Sequence, residues 1–217
     1  MKLALSMAGA AMLAFSSLAQ AATFTITPCQ GANCPGAVGE QKVFLNGQTG
    51  PSVTGQVGSQ NGTPQVLFTS SSVLESANGF SQIGRGNNTF SDLNISVPGF
   101  TFTDVIFGVQ GSGTGTFGAT GRFTDNTTQT LSAALTNAND RFIALASSAA
   151  TPFTMLSLSA IGTTFQAVRQ IELSGLSPSA VPLPGAALLM GTALAGLGGF
   201  GTWRRRRRQG ALLPLAA

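Results

Sequence analysis

Short runs of alternating apolar and polar residues, broken every few positions by turn residues, constrain this chain most. In residues 167–175 Ile171 and Leu173 fall on one side of an extended strand, Gln170 and Glu172 on the other. Similar runs occupy 23–27, 65–69, 90–97, 128–136, 141–146 and 152–160, with weaker ones at 42–46 and 52–57. Between them stand turn signals: the cluster at 84–88, Pro98-Gly99, and five glycines within 111–121. Phe100 and Phe102 alternate in one parity; Val105, Phe107 and Val109 alternate in the other. That change of phase near Asp104 predicts a bulge or a kinked strand. No 3.6-residue period is sustained across 22–176. The expectation is an all-β domain, an antiparallel β-sandwich of jelly-roll-like form.

Charge is informative only once it is placed. The 217 residues carry 11 basic and 7 acidic side chains. Six of the basic ones are Lys2 and Arg204 to Arg208, at the two ends, so the body holds five bases against seven acids. A phosphate-binding surface needs a basic face on the folded domain, and nucleic acid is therefore not an expected partner.

Residues 1–21 have the form of a secretory signal peptide: Lys2, an apolar run over 3–15, then Ala19-Gln20-Ala21 with small residues at Ala19 and Ala21 where signal peptidase reads them. The two cysteines, Cys29 and Cys34, lie five positions apart near Gly31 and Pro35. Export favours a local disulfide between them, and two cysteines without histidine make half a zinc site at most. So short a bridge staples an edge and constrains little else.

Little in the chain suggests catalysis. Histidine is absent, which excludes His-based triads. Gly113, Gly115 and Gly118 match G-x-G-x-x-G but lead into turn and strand residues rather than a helix, so a Gly-rich hairpin is the better reading. Ser81, in Gly79-Phe80-Ser81-Gln82-Ile83-Gly84, misses a nucleophile elbow by one position, and nothing links a serine to Lys42. The seven acids show no spacing that implies a pair, and surface solvation is the expectation for each. Asp125-Asn126 and Asn137-Ala138-Asn139-Asp140 are oxygen-rich enough for calcium, yet they are also ordinary turn residues. No cofactor and no metal ligand set is expected. The fifteen Phe residues are expected mostly in the core.

The C-terminal stretch has three parts: Val181-Pro182-Leu183-Pro184, then nineteen uncharged residues, 185–203, then Arg204, Arg205, Arg206, Arg207 and Arg208. Nineteen helical residues span roughly 28 Å, about one hydrocarbon core. Five arginines hold that end in the cytoplasm, which puts the body outside, in agreement with the N-terminal signal. The arrangement resembles the PEP-CTERM sorting signal of Gram-negative bacteria in its VPLPA variant, with Gly185 where Ala is usual and nine residues, 209–217, beyond the arginines. The resemblance implies transient partners, an exosortase and the inner membrane, with removal of the helix near the Pro motif. It also implies delivery to the cell surface or matrix, often beside exopolysaccharide.

The expected organisation is a signal peptide (1–21), a β-sandwich ectodomain (22–176), a linker with the Pro motif (177–184), a transmembrane sorting helix (185–203) and an Arg-rich cytoplasmic tail (204–217). The expected role is structural or adhesive, in biofilm or exopolysaccharide, and non-enzymatic. Two rivals stand beside it. A glycan-binding jelly-roll module would need exposed aromatic rings and amides. A secreted hydrolase would need two carboxylates within about 5 to 9.5 Å.

Overall fold

The computed structural model describes residues 21–29, 34, 39–84 and 88–179. Ala19, Val181, Pro182, Leu183, Pro184 and the five arginines lie outside the described residues, as do the signal peptide up to residue 20, the sorting helix and the tail.

The body is all-β and antiparallel, with no helix among the described residues. Its strands are β1 (Phe24–Cys29), β2 (Gln41–Asn46), β3 (Thr49–Val57), β4 (Gln65–Glu75), β5 (Asn78–Phe80), β6 (Gln82–Ile83), β7 (Asp92–Ser96), β8 (Phe100–Thr101), β9 (Asp104–Gly111), β10 (Gly115–Phe123), β11 (Thr128–Leu135), β12 (Asp140–Ala146), β13 (Phe153–Ile161), β14 (Phe165–Ser174) and β15 (Ser177–Pro178). Eleven of them form one continuous path, β1-β12-β9-β14-β2-β3-β4-β7-β13-β10-β11. β5 adds to β2, β6 adds to β14, and β15 pairs with β8 in a separate ribbon.

The path folds over at β2. Gln41 and Lys42 pair with β14, and the next residues, Val43 to Leu45, pair with β3. This divides the sheet into a smaller half (β1, β12, β9, β14) and a larger half (β3, β4, β7, β13, β10, β11) around one core. The two ends of the path come back together. The Phe24 N–H of β1 donates to Gln129 Oε1 of β11 at 2.6 Å, and the Gly111 N–H at the end of β9 donates to the Thr136 carbonyl just past β11, also at 2.6 Å. The sheet is thus nearly closed, which leaves little free edge.

Phenylalanine fills the interior. Phe153 touches Phe24, Phe102 and Phe123 at ring separations of 5.4, 5.5 and 5.1 Å, and Phe117 meets Phe142 edge-on at 5.0 Å. Of the Phe residues described, ten are buried and only Phe44, Phe80 and Phe100 are half-buried. Each full burial contributes about 1.5–3 kcal/mol.

The phase change near Asp104 is neither a bulge nor a kink within one strand. Phe102 is bridged to Phe153 in the larger half, and Asp104 pairs with Ser174 and Leu145 in the smaller half. The chain crosses between halves at Thr103, and the parity flips because the core lies on the opposite side of each half. The clear alternation at Gln170 to Leu173 also conceals a feature. The register of β14 against β9 shifts between Arg169 and Glu172, and Gln170 sits at φ +51°.

Candidate functional site

Antiparallel partners share a face, so the registers reveal what decorates the outer side of the smaller half. Phe107, Val109, Phe142, Ala144, Ile171 and Leu173 point inward. Their neighbours point out, in three rows across the strands. One row runs Gln82, Arg169, Gly108, Arg141, Cys29; the next Lys42, Glu172, Ile106, Ile143; the last Ser174, Asp104, Leu145, with Glu40 just before β2. Three of the body's five bases and three of its seven acids therefore sit on one face.

The apolar end of the middle row is covered rather than solvated, while Lys42 at its other end is exposed. Ile106 and Ile143 are buried beneath Cys34, with Cys29 and Leu145 packed alongside. Cys29 and Cys34 are joined by a disulfide with Cα atoms 4.6 Å apart. The bridge thus acts as a lid on the outside of β9 and β12, which explains why β9 is buried on both faces.

The charges on this face are largely committed. Arg141 Nη2 donates to Glu172 Oε1 at 3.0 Å in a half-buried ion pair. Lys42 Nζ stands 5.2 Å from the centroid of the Phe80 ring, beside Phe44. Asp104 is the exception. It is only 3% exposed, and Oδ2 accepts the hydroxyl protons of Ser174 and, at 3.4 Å, Thr103. Oδ1 is buried without a hydrogen-bond partner, as is Oε1 of neighbouring Glu40. Burial pushes the Asp104 carboxyl above its ordinary pKa; the Ser174 bond opposes this and the Glu40 charge adds to it.

Surface solvation, expected for every acid, holds fully only for Asp125. Asp125 accepts the Thr127 N–H at 2.9 Å and its hydroxyl at 2.6 Å, which holds its pKa below the usual value. Asp92 accepts the Ser71 N–H at 2.9 Å, Glu75 accepts from Asn88 Nδ2 at 2.9 Å, and Asp140 accepts the Thr136 hydroxyl at 2.5 Å. Turn and strand ties thus account for the oxygen-rich loops. Among the described residues no three His, Cys, Asp or Glu side chains cluster in a manner that would hold a metal.

Ser81 is a structural residue. It is 1% exposed; its Oγ accepts the Ile171 N–H at 2.7 Å and donates to the Ile171 carbonyl at 3.3 Å. Its own carbonyl accepts the Gln170 N–H at 2.8 Å. One serine therefore satisfies the backbone that the β14 bulge unpairs. The glycines of G-x-G-x-x-G lie in the β9–β10 turn and in β10. A Cβ on Gly115 would stand 2.7 Å from Thr163, so packing requires that glycine. A cavity of about 260 Å³, lined by Ala21, Ala22, Thr23, Ser147, Ser148 and Thr151, carries no charged group. Among the described residues no helix is long and apolar enough to cross a membrane. No protein-family model, curated protein or solved structure matches this chain.

Proposed function

We propose that this is an exported surface or matrix protein, sorted by an exosortase, with a structural or adhesive role linked to biofilm or exopolysaccharide. The observation that carries it is the C-terminal order of Val181-Pro182-Leu183-Pro184, uncharged segment and arginine run, opposite an N-terminal secretory signal. The body is compatible with that role. A nearly closed sheet resists edge pairing, the cysteines are joined, and six of the seven acids make the hydrogen bonds described above. Its finer architecture reads as a jelly-roll-like β-sandwich, on the strength of two sheet halves around one core and a corner crossing at Thr103.

The rivals find less support. No Phe among the described residues is exposed, so stacking rings for a sugar are poorly supplied. Among the described residues Glu40 and Asp104 are carboxylates with an unpartnered buried oxygen each, and Asp104 is too buried to meet a sugar. The test is to express the chain in a host with and without its exosortase and weigh the product. Loss of residues C-terminal to the Pro motif only when the exosortase is present is expected. A mass that still includes 185–217 in its presence refutes the sorting reading.

A further inference from the structure

We propose that Glu40, just before β2, and Asp104, at the start of β9, hold a calcium ion over the outer side of the intervening β14, with the hydroxyl oxygens of Ser174 and Thr103 beside it. Three observations support this. First, two acids sit at the same end of one face, and each keeps a buried oxygen, Glu40 Oε1 and Asp104 Oδ1, that no donor reaches. Leaving a buried charged oxygen unmatched is among the costliest arrangements in a folded chain. Second, Asp104 is 97% buried by residue area and both hydroxyls near it already serve Oδ2, so Oδ1 is left for a ligand that brings no hydrogen-bond donor of the protein's own. Third, the two cations nearest in register are engaged elsewhere, Lys42 over Phe80 and Arg141 on Glu172, while Arg169 lies in the far row, opposite Gly108. A divalent cation neutralises both carboxylates and removes their mutual repulsion.

Calcium fits better than other ions. The site offers oxygen alone, the choice of hard cations, since the chain has no histidine and the cysteines are in a disulfide. Its ligands come from two strands and two loop positions, Asp104 of β9, Ser174 of β14, Glu40 and Thr103, and calcium tolerates irregular coordination where magnesium demands a near-ideal octahedron. The inference does not depend on how the protein is sorted.

The test uses the purified full-length chain, stripped with a chelator and titrated with calcium by calorimetry, with thermal unfolding followed in parallel. Saturable binding near one equivalent is expected. At calcium a hundredfold above Kd, Tm should rise by about 5–10 °C. Glu40→Gln and Asp104→Asn should each weaken binding at least tenfold and abolish the Tm response. Glu40 is only half-buried, so its variant keeps the test decisive if Asp104→Asn fails to fold. Absence of heat and of a Tm shift in the wild-type chain overturns the proposal, as does undiminished binding in Glu40→Gln. An equal Tm shift with magnesium overturns the choice of calcium.

Discussion

Replacing Ser81 by alanine tests how the β14 bulge is held. The hydroxyl bonds both backbone groups of Ile171, accepting from its N–H at 2.7 Å and donating to its carbonyl at 3.3 Å. In Ser81→Ala the Ile171 N–H stays buried but loses its acceptor, because Gln170 and Ile171 are the residues the register shift removes from the β9 ladder. An orphaned buried N–H costs about 1–3 kcal/mol, and the longer carbonyl bond adds less than about 1 kcal/mol. The carbonyl of residue 81 still accepts the Gln170 N–H, so the loop keeps its path and the loss should total about 2–3 kcal/mol. Urea unfolding, followed by circular dichroism, should show a lower midpoint with an unchanged m-value. Ser132→Ala, on the exposed side of β11, should stay within about 0.5 kcal/mol of the parent. A loss below about 0.5 kcal/mol for Ser81→Ala would refute the reasoning, since Ile171 would then have found another acceptor.

Two glycine substitutions separate packing from mere absence of a side chain. In Gly121→Ala the new methyl would sit 2.7 Å from the buried ring of Phe153 and 3.2 Å from Phe24, and should destabilise by about 1–3 kcal/mol; in Gly108→Ala its three nearest atoms all belong to the side chain of exposed Asn139, which can swing away, so the loss should be under about 1 kcal/mol, both read from urea midpoints. At Gln170, with φ +51°, the stability order should be Gly above Gln above Val, with Val about 1–2 kcal/mol below Gln, and the reverse order would show that the bulge does not impose the left-handed conformation. In chelator, the pH dependence of Asp104 should carry a definite sign. Its folded-state pKa lies above the ordinary 3.8, so protonation favours the fold, and that contribution is full below 3.8 and fades as pH rises through the folded value. Wild-type Tm, measured against Asp104→Asn, should therefore rise as pH falls from about 7 to about 4, with Glu40, Lys42, Glu172, Arg141 and Arg169 as the other charged side chains on that face.

Much of the strand content was legible in the chain because burial on one face imposes a period of two. The run at 65–69 falls within β4, and those at 128–136 and 167–175 overrun β11 and β14 by a single residue each. The empty G-x-G-x-x-G was legible too, since no helix-forming sequence follows it. The corner at Thr103 was visible only as a fault in parity, because alternation reports which side is buried and not which sheet buries it. The role of Ser81 left no signal, as nothing local marks a residue whose partner is ninety positions away.

By itself the sequence determined a β body and two cysteines close enough to join, because each depends on neighbours a few residues apart. Only the tertiary structure decided that β2 turns the sheet over, that Phe24 and Gln129 tie its ends, and that Glu40 lies near enough to Asp104 to push its carboxyl pKa up. Those arrangements depend on strand order and register, which arise from contacts across the whole chain.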